Sequence, residues 1–534
     1  MLGKMQDWPL RLTHVIDHAA RVHGQREIIT CEADGSINRS NWAKVARDAR
    51  KFARHLEASG IKPDDRIATL AKNHVRHLVA WFGTIGMGGV IHTINWRLFD
   101  DQIVYIINHA EDRILLYDRG FAPVIERIKP RIACVEQFIC FDDEFEAVLA
   151  YESDDYRWHD GDERAPAMLC YTSGTTGNPK GVLYEHRSTV LHAMMTIGPD
   201  AFNLPHHATA LPFVPLFHAA SWGLPFSCAM TGARLALMVP GDIATMHRMI
   251  VDEGATHSAG VPTIWSTMLA HLDATGSSLG KLRHVSVGGS AAPRALIQRF
   301  LDLGIAFHHL WGMTEISPVG SVCAYPDDWV ELDSDHQIDF IRMQGVAPFG
   351  IELRIVSEDS KPLPHDGRTT GHLQIRGAWV VDRYFKAGSS ALDAEGWFDT
   401  GDIAVIHPNS YVQITDRAKD VIKSGGEWIS SIDLENAAAG CPGVAQAAAI
   451  GVPHPKWEER PILIVSRAPG SDVCKQTIMD HLANHVARWW LPDDIIFMDA
   501  LPLTGTGKIM KAELRQQLAD HDNGAAAAPD PGNH

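Results

Sequence analysis

Cysteine, long apolar runs and a signal-peptide start are scarce or absent in this sequence. Its 534 residues include eight cysteines and no C-x-x-C pair, which fits a reducing compartment better than a disulfide framework. The sequence contains no run of eighteen apolar residues, the length needed to span a bilayer. The opening MLGKMQDWPL lacks the apolar core of a signal peptide. We therefore expect a cytoplasmic protein without an integral membrane segment.

Positive charge is also in deficit. Lysine and arginine total 48 against 65 aspartates and glutamates, for a net charge of −17. No global field therefore favours nucleic acid or an anionic surface, and we expect no nucleic-acid partner. An anionic ligand would have to be attracted by local positive groups.

The length and the alternation of patterns indicate the fold class. A chain of 534 residues exceeds what one hydrophobic core supports, so at least two domains are expected. Short β-branched runs such as RIATLA and RILLYD alternate with amphipathic stretches such as SNWAKVARDARKFARHLEASG. This alternation predicts an α/β protein with a large N-terminal domain of helix-covered sheets. Closely spaced strands from FGIELRIV to YVQITD predict a small β-rich subdomain. After Lys419 new helices, including CKQTIMDHLANHVARWW at 474–490, predict a small α+β C-terminal domain.

One loop has the composition of an anion site. YTSGTTGNPKG, Tyr171 to Gly181, contains three glycines and follows a short apolar run. Glycines let backbone N–H groups approach an oxyanion, and the hydroxyls of Ser173, Thr175 and Thr176 would add donors. It is not a Walker A loop, because glycine follows Lys180 where that motif needs Ser or Thr. Taken alone, the loop is equally compatible with a solvent-exposed turn.

Four further motifs follow in order. They are WGMTE at 311–315, TGD at 400–402, DRAKDVIKSGGEWIS at 416–430 and PLTGTGKI at 502–509. Together with the first loop they resemble the signatures of the adenylate-forming superfamily. That superfamily joins acyl- and aryl-CoA synthetases, luciferases and the adenylation domains of peptide synthetases. The resemblance covers nearly the whole chain.

The resemblance implies an ATP-dependent, AMP-forming acyl-CoA ligase that uses ATP, Mg²⁺ and CoA. Thr176, Glu315 and Lys508 are the implied catalytic residues, with Thr176 and Glu315 also holding the metal. The implied ATP and AMP contacts are Ser173, Gly174, Thr175, Thr176, Gly177, Lys180, Gly289, Ser290, Ala291, Trp311, Gly312, Met313, Thr314, Asp402, Ile414 and Arg417. CoA is expected to contact Lys423, Ser424, Gly425, Gly426, Glu427 and Trp428.

The resemblance also implies a domain rotation between the two half-reactions. We expect an AMP-binding domain at 1–416, a hinge at 417–420 with Lys419 as its pivot, and a mobile C-terminal domain at 421–520. The tail at 521–534 has little to bury and is expected to be disordered.

The stretch VPLFHAASWGLPF, 214–226, bears on the acid. Amino-acid activation would need a carboxylate after the phenylalanine, but His218 stands there, and the rest of the stretch is uncharged. An apolar, medium-chain or fatty-type acid is therefore expected. Trp222 resembles a tryptophan that gates the acyl tunnel of bacterial fatty acyl-CoA synthetases, and IHTINWRLF resembles their medium-chain and methylthiopropionate-using members. The predicted acyl pocket consists of Phe217, His218, Trp222, Trp265 and Gly288.

Several alternatives remain. An apolar slot admits rings as readily as chains, so aryl or arylpropionic acids stay open, and Trp222 could be an ordinary core residue. GGSAA at 288–292 is one residue short of G-x-S-x-G, so a Ser290-dependent esterase or thioesterase is a disfavoured second class. GTGKI fails as a P-loop because Pro502 and Ile509 stand where Gly and Ser or Thr are needed. Family members with similar N-termini form homodimers, which we expect here.

Overall fold

The computed structural model describes residues 3–150, 152–172, 178–424, 427–503 and 509–525. The chain divides into two compact units. One comprises residues 1–292, 296–353 and 375–398, and the other residues 293–295, 354–374 and 399–534. This division does not test the domain limits that the sequence predicts, and those limits remain predictions.

The first unit contains a six-stranded sheet. Its strands lie in the order Gln137–Cys140, Asp112–Tyr117, Arg66–Leu70, Val90–Thr93, Pro166–Tyr171 and Gly181–Glu185. Neighbouring strands are parallel except for the last pair, which is antiparallel. Most of their residues are buried, as in a sheet covered on both faces.

An eight-stranded sheet belongs to the same unit. Its order is Val319–Val322, Ala306–Gly312, His284–Val287, His257–Gly260, Thr209–Pro212, Arg234–Met238, Glu27–Cys31 and Ile37–Asn41. The interior pairs are parallel, whereas the strand at each edge pairs antiparallel with its neighbour.

Amphipathic helices accompany these sheets. The helix Trp42–Ala58 begins where the Asn41 side chain accepts a hydrogen bond from Lys44 N at 2.8 Å, and it buries Phe52 and Leu56 on one face. The α-helices of this part of the chain are Leu12–Val22, Trp42–Ala58, Val75–Gly86, Asp100–Ala110, Ala122–Ile128, Phe145–Ala150, His186–Thr196, Leu224–Thr231, Ile243–Asp252, Pro262–Thr275, Arg294–Asp302 and Ser334–Arg342.

The second unit is α+β. It contains most of a four-stranded sheet with the order Ile351–Val356, Thr370–Gly377, Phe398–Ile406 and Val412–Arg417. A second sheet has the order Glu427–Ile429, Ile422–Ser424, Glu458–Arg467 and Val444–His454, and Asp494–Phe497 also pairs with Glu458–Arg467. The helices are Ser431–Ala439, Lys475–Ala483 and Lys511–Ala525.

The predicted α/β class is confirmed, and one helix is shorter than expected. The sequence predicts a helix over 474–490, but the α-helix ends at Ala483 and a separate 3₁₀ turn spans Arg488–Trp490. The Asn484 amide donates to Asp480 O at 2.9 Å, a side-chain bond that competes with helix continuation. Val486 and Trp490 then pack on the core of the second unit, which gives the break a tertiary cause.

Candidate functional site

The ends of the predicted phosphate loop are fixed by the six-stranded sheet. Tyr171, at the end of one strand, lies opposite Gly181 at the start of its antiparallel partner. Thr172 N donates to Lys180 O at 2.9 Å, and Lys180 N donates to the Thr172 hydroxyl at 3.2 Å. The predicted contacts inside the loop, Ser173, Gly174, Thr175, Thr176 and Gly177, lie outside the described residues.

Aromatic residues support the base of this loop. The Tyr171 hydroxyl lies 2.7 Å from His109 Nδ1, and burial raises the pKa of that phenol. A Cβ at Gly181 would lie 3.1 Å from Phe385 Cβ and 3.2 Å from Tyr171 Cζ, so any side chain there would force neighbours to move. Phe385 N donates to Gly181 O at 2.8 Å. Long-range contacts therefore hold the strand ends that carry the loop.

The WGMTE motif lies at the end of the strand Ala306–Gly312. A Cβ at Gly312 would lie only 1.9 Å from Pro318 O, so the close backbone crossing requires glycine. Trp311 is buried, Met313 N donates to Pro318 O at 3.0 Å, and the Tyr184 hydroxyl donates to Thr314 O at 2.7 Å. These contacts fix the turn that carries Glu315.

The Glu315 carboxylate fits a cation site. The residue is 8% exposed, its Oε1 accepts a hydrogen bond from the Tyr384 hydroxyl at 2.8 Å, and its backbone carbonyl accepts from Val381 N at 2.8 Å. Within the described residues no lysine, arginine or histidine forms an ion pair with it. A buried, acceptor-only group of this kind is costly without a cation, and carboxylate oxygen is the ligand type that Mg²⁺ prefers.

Tyr384 also contacts the lysine of the first loop. Lys180 Nζ lies 4.7 Å from the centroid of the Tyr384 ring. Burial, and then the charge and hydrogen bond of Glu315, raise the pKa of the Tyr384 phenol, so it remains a donor at neutral pH. One tyrosine, unremarkable in the sequence, thus touches two predicted ligand residues.

Two members of the predicted acyl pocket lie together. A Cβ at Gly288 would lie 2.8 Å from Leu310 O and 3.4 Å from Trp222 Cη2, so the indole packs closely against this glycine. Phe217 is buried, with its ring edge-to-face with Trp96 at 6.0 Å, and His218 is partly buried.

Trp265 lies in the core. It is fully buried, and its ring partners are Phe213 and Phe300, each with centroids 5.4 Å away. Its place in the acyl pocket stays a prediction.

The backbone around Trp222 is strained. Ala219, Ala220, Ser221, Trp222 and Gly223 all have positive φ, between 44° and 80°. Such values cost an L-residue other than glycine on the order of 1–2 kcal/mol each, and strain of this kind concentrates at functional sites. The run follows Phe217 and His218 directly, so it marks the segment that the sequence associates with the acid.

Ala220→Gly should stabilise the protein by about 0.5–1 kcal/mol, because glycine relieves the strain at φ 55° and loses only part of that gain to its greater unfolded-state freedom. Denaturant unfolding measures the difference. Ala229→Gly, inside the helix Leu224–Thr231, is the matched control and should instead destabilise by about 1 kcal/mol. Destabilisation by both variants would mean that Ala220 is not strained.

The residues after Gly288 do not form a nucleophile elbow. Gly289 has φ 89°, whereas Ser290 is exposed and is not among the residues with positive φ. No histidine of the described chain hydrogen bonds to the Ser290 hydroxyl, and His309 Nδ1 lies 2.9 Å from Ile341 O. The strained serine and adjacent base that an esterase needs are therefore missing from the described residues.

In the second unit, the predicted ribose contacts lie side by side. Asp402 and Arg417 are register partners on antiparallel strands, and Arg417 Nε lies 2.8 Å from Asp402 Oδ1. Asp402 N donates to the Thr400 hydroxyl at 3.1 Å, and that hydroxyl donates to Leu373 O at 2.8 Å. Ile414 lies on the same strand as Arg417, opposite Ala404.

The predicted CoA residues form a hairpin. Lys423 pairs with Trp428 and Ser424 with Glu427, while Gly425 and Gly426 lie outside the described residues. Lys423 Nζ lies 3.7 Å from Glu358, and Trp428 contacts His372 edge-on at 6.4 Å. Burial lowers the pKa of Lys419, the predicted hinge residue. Lys508 lies outside the described residues.

A buried charge cluster beside the predicted hinge was not expected from the sequence. Lys511 Nζ lies 2.7 Å from Glu435 Oε1 and donates to the Ser431 hydroxyl at 2.5 Å, and Ser431 N and Oγ donate to Asp416 at 2.6 and 3.0 Å. Burial raises the pKa values of Asp416 and Glu435. Burial alone would lower the pKa of Lys511, but Glu435, Asp416 and Asp420 raise it.

Comparison with known proteins agrees with this geometry. Residues 16–385 match the family model of the AMP-binding enzymes, and residues 433–508 match that of the AMP-binding enzyme C-terminal domain. The chain belongs to the AMP-binding enzyme family. The resemblance inferred from the motifs is thereby confirmed.

The similar proteins of this family are acid–CoA ligases. The chain is 44% identical to a 3-methylmercaptopropionyl-CoA ligase of Ruegeria lacuscaerulensis, covering 97% of this chain and 99% of that protein. It is also 44% identical to a medium-chain-fatty-acid–CoA ligase of Ectopseudomonas oleovorans, covering 97% and 98%. The fold matches the anthranilate CoA ligase AuaEII in complex with anthranoyl-AMP, with a TM-score of 0.87 at 22% identity over 97% of this chain and 100% of that one. This AMP-binding enzyme is an ATP-dependent, AMP-forming acid–CoA ligase.

Proposed function

We propose that this AMP-binding enzyme activates an apolar monocarboxylic acid of the medium-chain or methylthiopropionate type. The observation that carries the proposal is the position of Trp222, which packs against Gly288 from a buried segment whose only ionisable side chain is His218. An apolar wall favours an alkyl or thioether chain, at about 0.8 kcal/mol for each methylene it covers. The named activities of the two relatives at 44% identity support the same class.

In the first half-reaction, the substrate carboxylate attacks the α-phosphate of ATP, and pyrophosphate leaves from the resulting acyl-AMP. No general base is needed, so the residues act by position and charge. Glu315 and the Thr176 hydroxyl would hold Mg²⁺, which offsets phosphate charge when it is bound. Lys180 would contact the phosphates and Lys508 both the carboxylate and the α-phosphate, while Asp402 and Arg417 would orient the ribose.

In the second half-reaction, the CoA thiol attacks the acyl carbonyl and AMP leaves. We propose that the C-terminal domain rotates about Lys419 between the two steps. The rotation would withdraw Lys508 and bring the hairpin of Lys423, Ser424 and Trp428 to the acyl-AMP. Gly425 and Gly426, which follow Ser424 in the sequence, would let a pantetheine arm pass.

A panel of free acids tests the substrate class. Straight-chain acids from propionate to laurate, 3-methylthiopropionate and one arylpropionate are compared by CoA-dependent AMP release. We expect the highest kcat/KM within the medium-chain or thioether acids. A clear preference for the arylpropionate would contradict the proposal and favour the aryl alternative.

Trp222→Ala should shift the preferred acid toward longer or bulkier ones, because removing the indole that packs against Gly288 would open space there. The affinity for ATP should stay within a few fold. The kcat/KM series over the same acids measures the shift, with the core substitution Trp42→Phe as the control that should keep the wild-type order. An unchanged order in Trp222→Ala would identify Trp222 as a core residue.

We also propose that the enzyme is a cytoplasmic homodimer. All eight cysteines are free, seven of them at least partly buried, as suits a reducing compartment. Among the described residues, no helix is both long and apolar enough to cross a bilayer. The resemblance of the N-terminus to dimeric family members supports the oligomeric state, and a monomer mass in solution scattering would contradict it.

A further inference from the structure

A short segment of the first unit joins two motifs that are far apart in sequence. Residues 381–385, here called the clamp segment, belong to neither motif. Val381 N donates to Glu315 O and Phe385 N donates to Gly181 O, both at 2.8 Å. The segment thus bonds the backbone of the WGMTE turn at one end and the base of the phosphate loop at the other.

Tyr384 makes the side-chain contacts of the clamp segment. Its hydroxyl donates to Glu315 Oε1 at 2.8 Å, which is a charge-assisted hydrogen bond. Its ring faces the Lys180 ammonium at 4.7 Å, within the range of a cation–π contact. The two groups that it touches have opposite charge.

The hydrogen bond from the Tyr384 hydroxyl restricts the rotation of the Glu315 carboxylate. The terminal torsion of a glutamate has broad, shallow minima, so an unrestrained carboxylate samples many orientations. One donor on Oε1 fixes the plane and leaves Oε2 for a cation, and outer donors of this kind commonly tune metal affinity. The ring contact similarly limits the long, flexible Lys180 side chain.

We propose that Tyr384 is a positioning residue for nucleotide binding, with its hydroxyl orienting Glu315 toward a divalent cation and its ring holding Lys180 toward the phosphates. The inference rests on the proposed roles of Glu315 and Lys180. It adds a residue that lies outside both motifs, and it assigns the two roles to different atoms of one side chain. Substitutions can therefore separate the roles.

Two variants and a matched control test the proposal on the full chain without acid, so that no turnover occurs. Tyr384→Phe removes the hydroxyl and keeps the ring, whereas Tyr384→Leu removes both. Tyr325→Phe is the control, because among the described residues that hydroxyl bonds only to Phe307 N and O, at 2.9 and 3.0 Å. Mn²⁺ binding in the presence of ATP is followed by electron paramagnetic resonance, and ATP binding at saturating Mn²⁺ by calorimetry.

Tyr384→Phe should weaken Mn²⁺ binding about tenfold or more and leave ATP affinity at saturating Mn²⁺ unchanged. Tyr384→Leu should weaken Mn²⁺ equally and also weaken ATP at saturating Mn²⁺, by roughly two- to fivefold. In turnover, Tyr384→Phe should need more Mg²⁺ for half-maximal adenylation, recover kcat at high Mg²⁺, and still convert supplied acyl-AMP to the thioester at the wild-type rate. Tyr325→Phe should match the wild type throughout.

Wild-type Mn²⁺ affinity in Tyr384→Phe would overturn the role of the hydroxyl, and equal ATP affinities in the two variants would overturn the role of the ring. A loss of ATP binding or thioester formation in Tyr384→Phe that high Mg²⁺ does not restore would also overturn the proposal, since the role would then be structural. If the ATP affinity of the wild-type protein does not depend on Mn²⁺, the proposed role of Glu315 is wrong, and this inference fails with it.

Discussion

Glu315→Gln should lower the rate of acyl-AMP formation by about two to three orders of magnitude without destabilising the metal-free protein. The amide has nearly the shape of the carboxylate and still accepts a hydrogen bond from Tyr384. What it loses is the charge that would attract the cation. Because that charge is buried and has no ion-pair partner among the described residues, its removal should leave the free energy of unfolding unchanged or raise it by up to about 1 kcal/mol.

Glu253→Gln is the matched control for this prediction. Glu253 is as buried as Glu315, at 7% against 8% exposure, but it lies 2.8 Å from Arg39 and 3.5 Å from Arg234. Its replacement should cost about 1–2 kcal/mol, since Arg39 is partly solvated, and should spare adenylation. Pyrophosphate release measures the rate and denaturant unfolding without metal measures stability. If Glu315→Gln is as destabilising as Glu253→Gln, the carboxylate has a structural partner and the metal assignment fails.

The sequence predicts the sheets and the pairing of two residues in the second unit. Runs such as RIATLA and RILLYD lie on the observed strands Arg66–Leu70 and Asp112–Tyr117, because a buried parallel strand is a nearly continuous apolar run. Asp402 and Arg417, predicted to face one ribose, are direct register partners at 2.8 Å. Their motifs flank one short hairpin, so local pairing is enough to bring them together.

Other features depend on contacts that sequence patterns do not encode. Tyr384 meets Glu315 across 69 residues of chain, and nothing in VVDRYFK marks it as a ligand-proximal tyrosine. The left-handed run at Ala219–Gly223 includes only one glycine, so the residue types do not predict its positive φ angles. The helix that stops at Ala483 does so because Val486 and Trp490 pack on the core of the second unit. Tertiary packing decides each of these features.

Lys511→Met should destabilise the second unit by about 3–5 kcal/mol, because it leaves two buried carboxylates without their cation. Lys511 is the common partner of Glu435 and Ser431, and Ser431 in turn holds Asp416. The side chains of Lys511 and Glu435 are only 12% and 18% exposed, so solvent screens their interaction little. Methionine keeps most of the length of the side chain and removes the terminal ammonium group with its charge and hydrogen bonds.

Hydrogen exchange of the strand Val444–His454 is the suitable measurement, since a chain with two compact units need not unfold in one step. Lys475→Met is the matched control in the same unit. Lys475 lies 2.6 Å from Asp494, but the two side chains are 54% and 51% exposed, so the change should cost less than about 1 kcal/mol.

Alkaline titration gives an independent check on the same cluster. The neighbouring carboxylates raise the folded-state pKa of Lys511 above its ordinary value of 10.5. A raised lysine pKa means that the stabilisation is fully present below about pH 10.5 and is lost as pH rises through the folded-state value. Wild-type protein should therefore lose more stability than Lys511→Met over that alkaline range. Parallel pH profiles, together with equal exchange rates in the two lysine variants, would show that Lys511 is solvated and that Asp416 is held beside the predicted hinge by its hydrogen bonds alone.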